Sequence, residues 1–256
     1  MDDILVTDLE AGVRQITLNR PDALNAINHP MYERLQETFD GLKKDFRVRT
    51  VVLTRAGRAI TAGHDMRDPQ RSEAEKDAYG KVYLNVLTLD KVGALIASIK
   101  GPVAGIGFSL ALAADMIVAG ETTRFVNAFH NAGSGCEGGL SWLLPRAVGT
   151  QLAAEILLTG RPVLADEALR SGLVLKVVPD DDIVTHALAI ARQIALNAPL
   201  GVYMTKQALW MNMQGASLEQ AIPFENRGVH TSQASEDGAE KLRAFQDKRP
   251  PEFRNR

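Results

Sequence analysis

Cysteine is almost absent from this sequence, because Cys136 is the only one among 256 residues. A single cysteine excludes a framework of disulfide bonds within the chain. Since no recognisable base motif accompanies Cys136, we interpret it as a packing residue rather than a nucleophile.

Long apolar runs are missing as well. No run reaches the roughly 18 residues that a membrane-spanning helix requires. The acidic N-terminus, Met1-Asp2-Asp3-Ile4, lacks the pattern of a signal peptide. Together with the lone cysteine, these absences predict a cytoplasmic protein with no membrane partner.

A strong excess of either charge is also missing. The net charge of −2 gives no reason to expect nucleic acid or an anionic membrane as a partner. Apolar residues make up 45% of the chain and charged residues 23%, which is ordinary for a globular protein. The length is sufficient for one domain with a sizeable core, or for one domain with a small appendage.

Hydrophobic patterning predicts alternating strands and helices, followed by a helical tail. Ile4–Leu9 and Val13–Leu18 are typical of a β-hairpin, and apolar residues recur at helical spacing within Pro30–Phe46. The buried stripe expected on that helix comprises Met31, Leu35, Phe39, Leu42 and Phe46. This order of elements predicts an α/β fold.

The remaining elements follow from the same patterns. Further strands are predicted at Val51–Thr54, Ile96–Ile99, Met116–Ala119 and Leu173–Val178. Further helices are predicted at Leu110–Ala114, Asp182–Asn197, Leu200–Met213, Leu218–Arg227 and Ser235–Asp247. Another helix is expected to end near Leu95, and the charged residues 67–80 are expected to form a solvated segment that borders a site.

Two glycine-bearing loops, about forty residues apart, each follow an apolar strand. The first is Ala59-Ile60-Thr61-Ala62-Gly63-His64-Asp65-Met66, and the second is Gly101-Pro102-Val103-Ala104-Gly105-Ile106-Gly107-Phe108-Ser109. Glycine allows sharp turns and a close approach of a ligand to the backbone. Two such turns are able to direct two backbone N–H groups at one point, which is the arrangement of an oxyanion hole.

These segments resemble the crotonase superfamily, the enoyl-CoA hydratase/isomerase family. The resemblance extends over nearly the whole chain. It begins with Ile16-Thr17-Leu18-Asn19-Arg20-Pro21-Asp22-Ala23-Leu24-Asn25-Ala26 and continues through both loops. It then includes the stretch from Gly138 to Gly149 and ends with the stretch from Ala244 to Phe253. These segments, in the family's order and at its spacing, identify the chain as a member.

The resemblance implies a fold and a substrate. We expect a spiral of ββα repeats that holds an acyl-CoA site in residues 1–198. Residues 199–256 are then a C-terminal helical region that builds a homotrimer or a hexamer and closes the CoA site. The substrate is an acyl-CoA thioester, so coenzyme A arrives with the substrate and no separate cofactor is expected.

The resemblance also assigns the oxyanion donors to the backbone N–H groups of His64 and Ile106. For His64 we favour a role of the backbone alone over participation of the imidazole. A metal site at His64 and Asp65 is not expected, because no further histidine or cysteine lies at ligand spacing.

The acid and base residues depart from the pattern of a two-acid hydratase. Ser109 and Phe129 occupy the two positions where such a hydratase is expected to carry glutamate. Glu137 instead occupies a position where some relatives carry a single catalytic acid, which is sufficient to move a proton from C2 to C4 of an enoyl-CoA. The alternative is that Glu137 merely caps a helix that begins near Gly138.

The resemblance further implies residues that bind substrate. Leu24, Ala62, Asp65 and Met66 are expected along the pantetheine and adenine. Phe129 and Trp142 are expected to influence the volume of the acyl pocket. Phe245 and Lys248 are candidates for the nucleotide end, from this subunit or a neighbouring one, although Lys248 is equally interpreted as solvated charge.

Several functions stay open at this point. The leading hypothesis is a single-acid enoyl-CoA isomerase. The alternatives are a hydratase with an atypical acid set, a specialised CoA lyase, hydrolase or dehalogenase, and a non-catalytic CoA-binding relative. A dinucleotide-binding fold is disfavoured, because Gly101, Gly105 and Gly107 do not have the Gly-x-Gly-x-x-Gly spacing.

Overall fold

A six-stranded sheet forms the centre of the computed structural model, which describes residues 2–68 and 93–255. Its strands lie in the order β1-β2-β3-β4-β6-β9, and only the β1–β2 pair is antiparallel within this sheet. They are β1 (Ile4–Asp8), β2 (Val13–Leu18), β3 (Thr50–Arg55), β4 (Leu95–Ile99), β6 (Met116–Gly120) and β9 (Lys176–Val178). The predicted N-terminal hairpin is therefore confirmed, with Ile4 opposite Leu18.

A second sheet has three strands, which alternate along the chain with strands of the first sheet. It has the order β5-β7-β8, from β5 (Pro102–Ala104), β7 (Arg124–Val126) and β8 (Val163–Leu164). The chain leaves β4 for β5 across Lys100 and Gly101, and it leaves β6 for β7 across residues 121–123. Because successive strands enter different sheets and a helix follows, the chain winds in ββα turns, as expected.

The described residues contain nine α-helices. They are α1 (His29–Leu42), α2 (Ile106–Leu112), α3 (Leu140–Val148), α4 (Thr150–Thr159), α5 (Ala165–Arg170), α6 (Ile183–Ala195), α7 (Pro199–Asn212), α8 (Leu218–Gln233) and α9 (Glu236–Gln246). The last three form the predicted helical tail. The division into residues 1–198 and 199–256 stays a prediction.

Helix α1 confirms most of the predicted buried stripe and corrects its end. Met31, Leu35, Phe39 and Leu42 are buried, and the Asn28 side chain caps the first turn by accepting from the Met31 N–H. The helix ends at Leu42 rather than Phe46, and Phe46 is 65% exposed. The helix ends before the polar run Lys43-Lys44-Asp45, so Phe46 is not placed on its buried face.

Three other predicted elements have different bounds. The helix expected at Leu110–Ala114 begins four residues earlier, the strand expected at Leu173–Val178 is confined to β9, and the helix expected to end at Arg227 continues to Gln233. Leu95 begins β4 and so does not end a helix. Most of that predicted helix and most of the segment 67–80 lie outside the described residues.

The main sheet is covered on both faces. One apolar cluster joins α1, α2 and α3 to the sheet, and a second packs Ile183, Ala187 and Ala191 of α6 against Val52 and Ile96. All five residues of β4 are therefore buried, as a strand covered on both faces requires. Such a sheet is a rigid platform for the loops that leave its strands.

The Asp115 carboxylate connects the helical tail to the main sheet. The Asp115 carboxylate accepts from Lys206 Nζ at 2.7 Å and from Trp210 Nε1 at 2.8 Å, both on α7. It also accepts from the Leu95 backbone N–H at 2.7 Å. Within residues 2–68 and 93–255, no helix has both the length and the apolar character needed to cross a bilayer.

Candidate active site

The first loop follows β3 and pairs with the segment that carries the N-terminal motif. The Ile27 N–H donates to the Gly63 carbonyl at 2.8 Å, and the Asp65 N–H donates to the Ile27 carbonyl at 3.0 Å. The Ala62 N–H donates to the Leu24 carbonyl at 3.0 Å. These bonds hold the first loop on both sides of His64.

A buried asparagine shapes the N-terminal segment. Asn25 is fully buried, and its side-chain amide donates to the carbonyls of Ala56 and Ala59 at 3.0 and 2.8 Å. Its side-chain oxygen accepts from the Arg20 N–H at 2.6 Å. Because Leu24 and Asn25 both have positive φ angles, these bonds support a backbone conformation that few residues other than glycine adopt. Sequence reasoning missed this role of Asn25.

The second loop lies directly against the first. The Ala104 N–H donates to the Thr61 carbonyl at 3.2 Å. A methyl group added to Gly107 would lie 2.3 Å from Thr61 Cγ2, and one added to Gly63 would lie 2.8 Å from the Ala104 oxygen. Neither distance is compatible with a real Cβ atom, so the close approach of the two loops requires glycine at both positions.

Ile106 of the second loop is the first residue of α2. Gly105 turns the chain into the helix with φ 51° and ψ −121°, and its N–H donates to the Val126 carbonyl at 3.0 Å. The first N–H groups of a helix have no partner within it. Among the described residues, none accepts from the Ile106 N–H. This group is thus available to a ligand.

His64 presents its imidazole to the first helix. The residue is exposed, and its ring centroid lies 6.2 Å from that of Tyr32, a buried residue of α1. The backbone of His64 is held by the parallel bridge to Ile27. The arrangement is consistent with a role for the His64 backbone, with the imidazole packed to one side.

Asp65 has a structural partner set that sequence reasoning did not foresee. Its carboxylate accepts from Arg67 Nε at 3.1 Å and from Arg20 Nη2 at 3.0 Å. The hydrogen bond from the Arg67 side chain contributes most to lowering the pKa of Asp65 to about 2, and Arg20 adds to it. The carboxylate is therefore engaged by the protein itself, whereas the neighbouring Met66 side chain is 78% exposed.

Glu137 lies in a glycine-rich segment that reaches α2. The Ser109 hydroxyl donates to the Glu137 carbonyl at 2.7 Å, across 28 residues of sequence. A methyl group added to Gly138 would lie 2.8 Å from Ser109 Cβ and 3.2 Å from Ile106 Cδ1. The residue after Glu137 is therefore in contact with the residue whose N–H begins α2.

Glu137 keeps solvent-exposed surface, but partial burial still raises the pKa of its carboxyl, because neighbouring protein atoms exclude part of the water that would stabilise its charge. A raised pKa is what a carboxyl group needs to accept and return a proton near neutral pH. The alternative, that Glu137 merely caps the following helix, stays a prediction, and among the described residues no side chain forms a cap hydrogen bond there. Helix α3 begins at Leu140, with Gly139 at its N-cap, and the Leu140 N–H donates to the Glu137 carbonyl at 3.3 Å.

The other predicted substrate residues are distributed around these loops. Leu24 is half-buried and Ala62 is exposed beside Gly63. Phe129 is buried, and its ring lies 3.9 Å from the point where a Cβ of Gly105 would lie, so it borders the second loop. Trp142 stacks on Trp210 at 6.5 Å between ring centroids. It therefore links α3 to the helical tail.

Phe245 and Lys248 lie at the end of the chain. Phe245 is 76% exposed on α9, and Lys248 is exposed in the turn that follows, with a φ of 53°. Within one chain both side chains face solvent. No group of three or more histidine, cysteine or carboxylate side chains suited to a metal ion occurs among the described residues.

Comparisons with known proteins agree with this arrangement. The family model for enoyl-CoA hydratase/isomerase matches residues 8–256. The chain is 38% identical to a probable enoyl-CoA hydratase of Mycobacterium bovis, over 88% of this chain and 83% of that protein. It is 30% identical to 1,2-epoxyphenylacetyl-CoA isomerase of Escherichia coli, over 99% of each.

A solved structure extends the likeness to three dimensions. The crystal structure of an enoyl-CoA hydratase from Bacillus anthracis superposes with a TM-score of 0.93 and 30% identity, over the full length of both chains. Both the family match and the structural match therefore include all the described residues of the candidate site. The chain belongs to the enoyl-CoA hydratase/isomerase family, within the crotonase superfamily.

Proposed function

We propose that this protein is an enoyl-CoA isomerase that moves the double bond of its substrate, with Glu137 as the single acid and base. The observation that carries the proposal is the contact of the Glu137 segment with the start of α2, where Ile106 offers its N–H. An acid beside an oxyanion donor is the minimum that a 1,3-proton shift needs.

The proposed reaction begins with the thioester carbonyl between the N–H groups of His64 and Ile106. The Glu137 carboxylate removes a proton from C2, and negative charge develops on the thioester oxygen. Each donor is worth about 3–4 kcal/mol of transition-state stabilisation. The protonated Glu137 then returns the proton to C4, so the double bond moves and the enzyme is restored.

The proposed substrate path follows the exposed side of the first loop. Leu24, Ala62 and Met66 present accessible surface there, which suits the pantetheine chain. Phe129 borders the second loop, and half-buried Trp142 stacks on Trp210 of α7, so both are proposed to influence the acyl pocket. Phe245 and Lys248 face away from their own chain, which fits contact with the nucleotide of a neighbouring subunit.

The proposed assembly is a homotrimer or hexamer built by the helical tail. A groove of about 840 Å³ between α7 and α8 is lined by apolar side chains that include Met204, Leu209, Met213 and Val229. Leu218 and Ile222 of α8 and Leu242 and Phe245 of α9 are also exposed. Sedimentation is expected to give three or six times the 27.8 kDa of one chain, and a monomer would overturn the proposal.

The decisive experiment measures turnover of 3-enoyl-CoA and 2-enoyl-CoA esters of several chain lengths. Wild type is compared with Glu137→Gln and with the control Glu121→Gln, which changes an exposed glutamate in the turn after β6. We expect isomerisation of 3-enoyl-CoA and a loss of about 100-fold or more in Glu137→Gln alone. Isomerisation unaffected by Glu137→Gln would overturn the assignment of the acid.

A second candidate function is hydration, which the name of the Mycobacterium bovis relative favours. It predicts that 2-enoyl-CoA takes up water and that Glu137→Gln has little effect, because another group would then position the water. Binding of CoA esters without turnover of either substrate would instead indicate a specialised or non-catalytic relative. Turnover therefore separates the two reactions, and a binding measurement with the same CoA esters identifies the third case.

A further inference from the structure

Ser109 is a buried hydroxyl in an otherwise apolar helix. All seven residues of α2 are buried, and the side chains beside Ser109 are Phe108 and Leu110. A buried hydroxyl is costly unless it forms a hydrogen bond. Ser109 donates at 2.7 Å to the main-chain carbonyl of Glu137, not to its carboxylate.

The glycines of the segment that carries Glu137 differ in how closely other residues pack against them. Gly138 has a φ of 65°, and no side chain fits there because Ser109 Cβ and Ile106 Cδ1 occupy the space. In contrast, Gly133 and Gly135 have no atom within 4 Å of the place where a Cβ would lie. The segment is therefore fixed near Glu137 and open in its earlier part.

We propose that Ser109 is a positioning residue that holds the Glu137 backbone at a fixed place relative to the Ile106 N–H. The Glu137 loop is then tied to the same short helix that carries Ile106, at Ser109, three residues after the proposed donor. The inference rests on the proposed function. Ser109 does not touch the substrate in this account, and it acts only through the placement of Glu137.

Loss of the bond is expected to affect turnover rather than binding. In Ser109→Ala the Glu137 carbonyl loses its donor, so the carboxylate samples positions away from C2 of the substrate. Because misplacement of a catalytic group by about 1 Å costs up to about 100-fold, we expect kcat to fall by about 10- to 100-fold. The KM and the stoichiometry of CoA-ester binding should change little, since the pantetheine side of the site is untouched.

A matched control is available in β4. Ser98 is also a fully buried serine, but its hydroxyl has no hydrogen-bond partner among the described residues. Ser98→Ala removes the same atoms from a buried site and is expected to leave kcat within about twofold. Equal kcat values for Ser98→Ala and Ser109→Ala would overturn the proposal.

A double-mutant cycle separates positioning from mere structural support. If Ser109 acts through Glu137, Ser109→Ala should cause no further loss of turnover in the Glu137→Gln background. An equal fold-loss in both backgrounds would overturn the proposal while leaving the assignment of Glu137 intact. Full activity of Glu137→Gln itself would instead overturn the proposed function, and the positioning role with it.

Two further variants keep the test valid if Ser109→Ala does not fold. Ser109→Cys retains a weak donor of similar shape and should recover part of the lost kcat. Gly138→Ala disturbs the same contact from the other side, with Ser109 intact, and should lower kcat with little change in KM. Wild-type kcat in Gly138→Ala, shown to be folded by its melting curve, would overturn the proposal.

Discussion

The two halves of the candidate site are built differently. The donor loops are tied to each other and to the N-terminal segment by backbone hydrogen bonds, and Gly63 and Gly107 lie where no Cβ fits. The segment that carries Glu137 is largely exposed, and its contact with α2 is made by Ser109 and Gly138. The proposed donor half is therefore part of the framework, whereas the proposed acid, Glu137, lies on a surface loop.

Under the proposed function, this difference lets one framework accommodate several reactions. Oxyanion stabilisation depends only on backbone N–H groups, so it persists whatever side chains surround them. The acid depends on one side chain in a loop, and loops tolerate change more readily than the elements they join. Relatives of this chain are accordingly named both as hydratases and as an isomerase, on a shared fold.

The largest effect is expected from a change that separates the donor loops. In Gly107→Ala the new methyl group meets Thr61 Cγ2, so the two loops must move apart. The proposed donor N–H groups then no longer point at one oxygen. We expect kcat/KM to fall by about 100- to 1000-fold, as for loss of an oxyanion donor. Overpacking should also lower the free energy of unfolding by about 1–3 kcal/mol, measured by urea denaturation.

A second substitution tests the cause of that loss. Thr61→Ser removes the obstructing methyl group but retains the hydroxyl that accepts from the Gly63 N–H at 3.0 Å. The double variant Gly107→Ala with Thr61→Ser should therefore regain most of the lost activity and stability. If it stays as impaired as Gly107→Ala alone, the contact between the loops is not what Gly107 provides.

The next largest effect is expected in the pH dependence of kcat/KM, through the proposed acid Glu137. Because burial raises the pKa of Glu137, its carboxylate is lost on acidification earlier than an ordinary glutamate would be. Below that raised pKa, kcat/KM should fall about tenfold per pH unit, as expected for one essential base. A profile that stays flat down to the ordinary range of glutamate would contradict this role.

The same shift has an opposite consequence for stability. A carboxyl group whose pKa is raised by folding stabilises the fold in its neutral form, and that contribution is lost as pH rises through the raised value. Glu137→Gln should therefore melt at a slightly higher temperature than wild type near neutral pH. The difference should vanish at a pH below the pKa of an unfolded glutamate.

Asp65, in the first donor loop, provides a stability test to set beside that of Glu137. Its pKa is lowered from 3.8 to about 2, so its ionised form stabilises the fold above pH 3.8 and this contribution is lost as pH falls toward 2. Asp65→Asn should reduce the free energy of unfolding by about 1–3 kcal/mol at neutral pH, because hydrogen bonds to charged arginines are weakened. The loss should shrink on acidification through that range.

A matched variant separates the two arginine partners of Asp65. Arg67 is largely exposed, at 75%, whereas Arg20 is 22% exposed. Although the Arg67 hydrogen bond contributes most to lowering the pKa of Asp65, solvent screens an exposed pair, so Arg67→Ala should cost less stability than Arg20→Ala. The reverse order in denaturation experiments would show that the outer partner carries the interaction.

Sequence patterns were sufficient for the parts of this fold that repeat. The buried face of α1 follows from helical spacing, and the N-terminal hairpin follows from two apolar runs around a turn. Phe46 continues the same spacing but is exposed, because periodicity does not mark where a helix ends. Helix α2 begins at Ile106 instead of Leu110, since its start depends on the backbone conformation of Gly105.

Contacts between distant residues were beyond the reach of the sequence. The glycines of the two loops indicated close approach, and the structure places the loops side by side. Nothing in the local pattern pairs Asp65 with Arg20, which lies 45 residues away, or Ser109 with the carbonyl of Glu137, 28 residues away. Such partners are chosen by the fold, which brings their segments together.

The smallest effect is expected within the acid segment, at Gly135. This glycine has open space around the position of a Cβ, and its φ is not in the left-handed region. Gly135→Ala should therefore leave kcat within about twofold and raise the free energy of unfolding by up to about 1 kcal/mol, since alanine restricts the unfolded chain. Gly138→Ala, three residues later, is the matched comparison, because its Cβ would meet Ser109 and Ile106. If Gly135→Ala lost as much turnover as Gly138→Ala, the whole segment rather than its contact with α2 would set the place of Glu137.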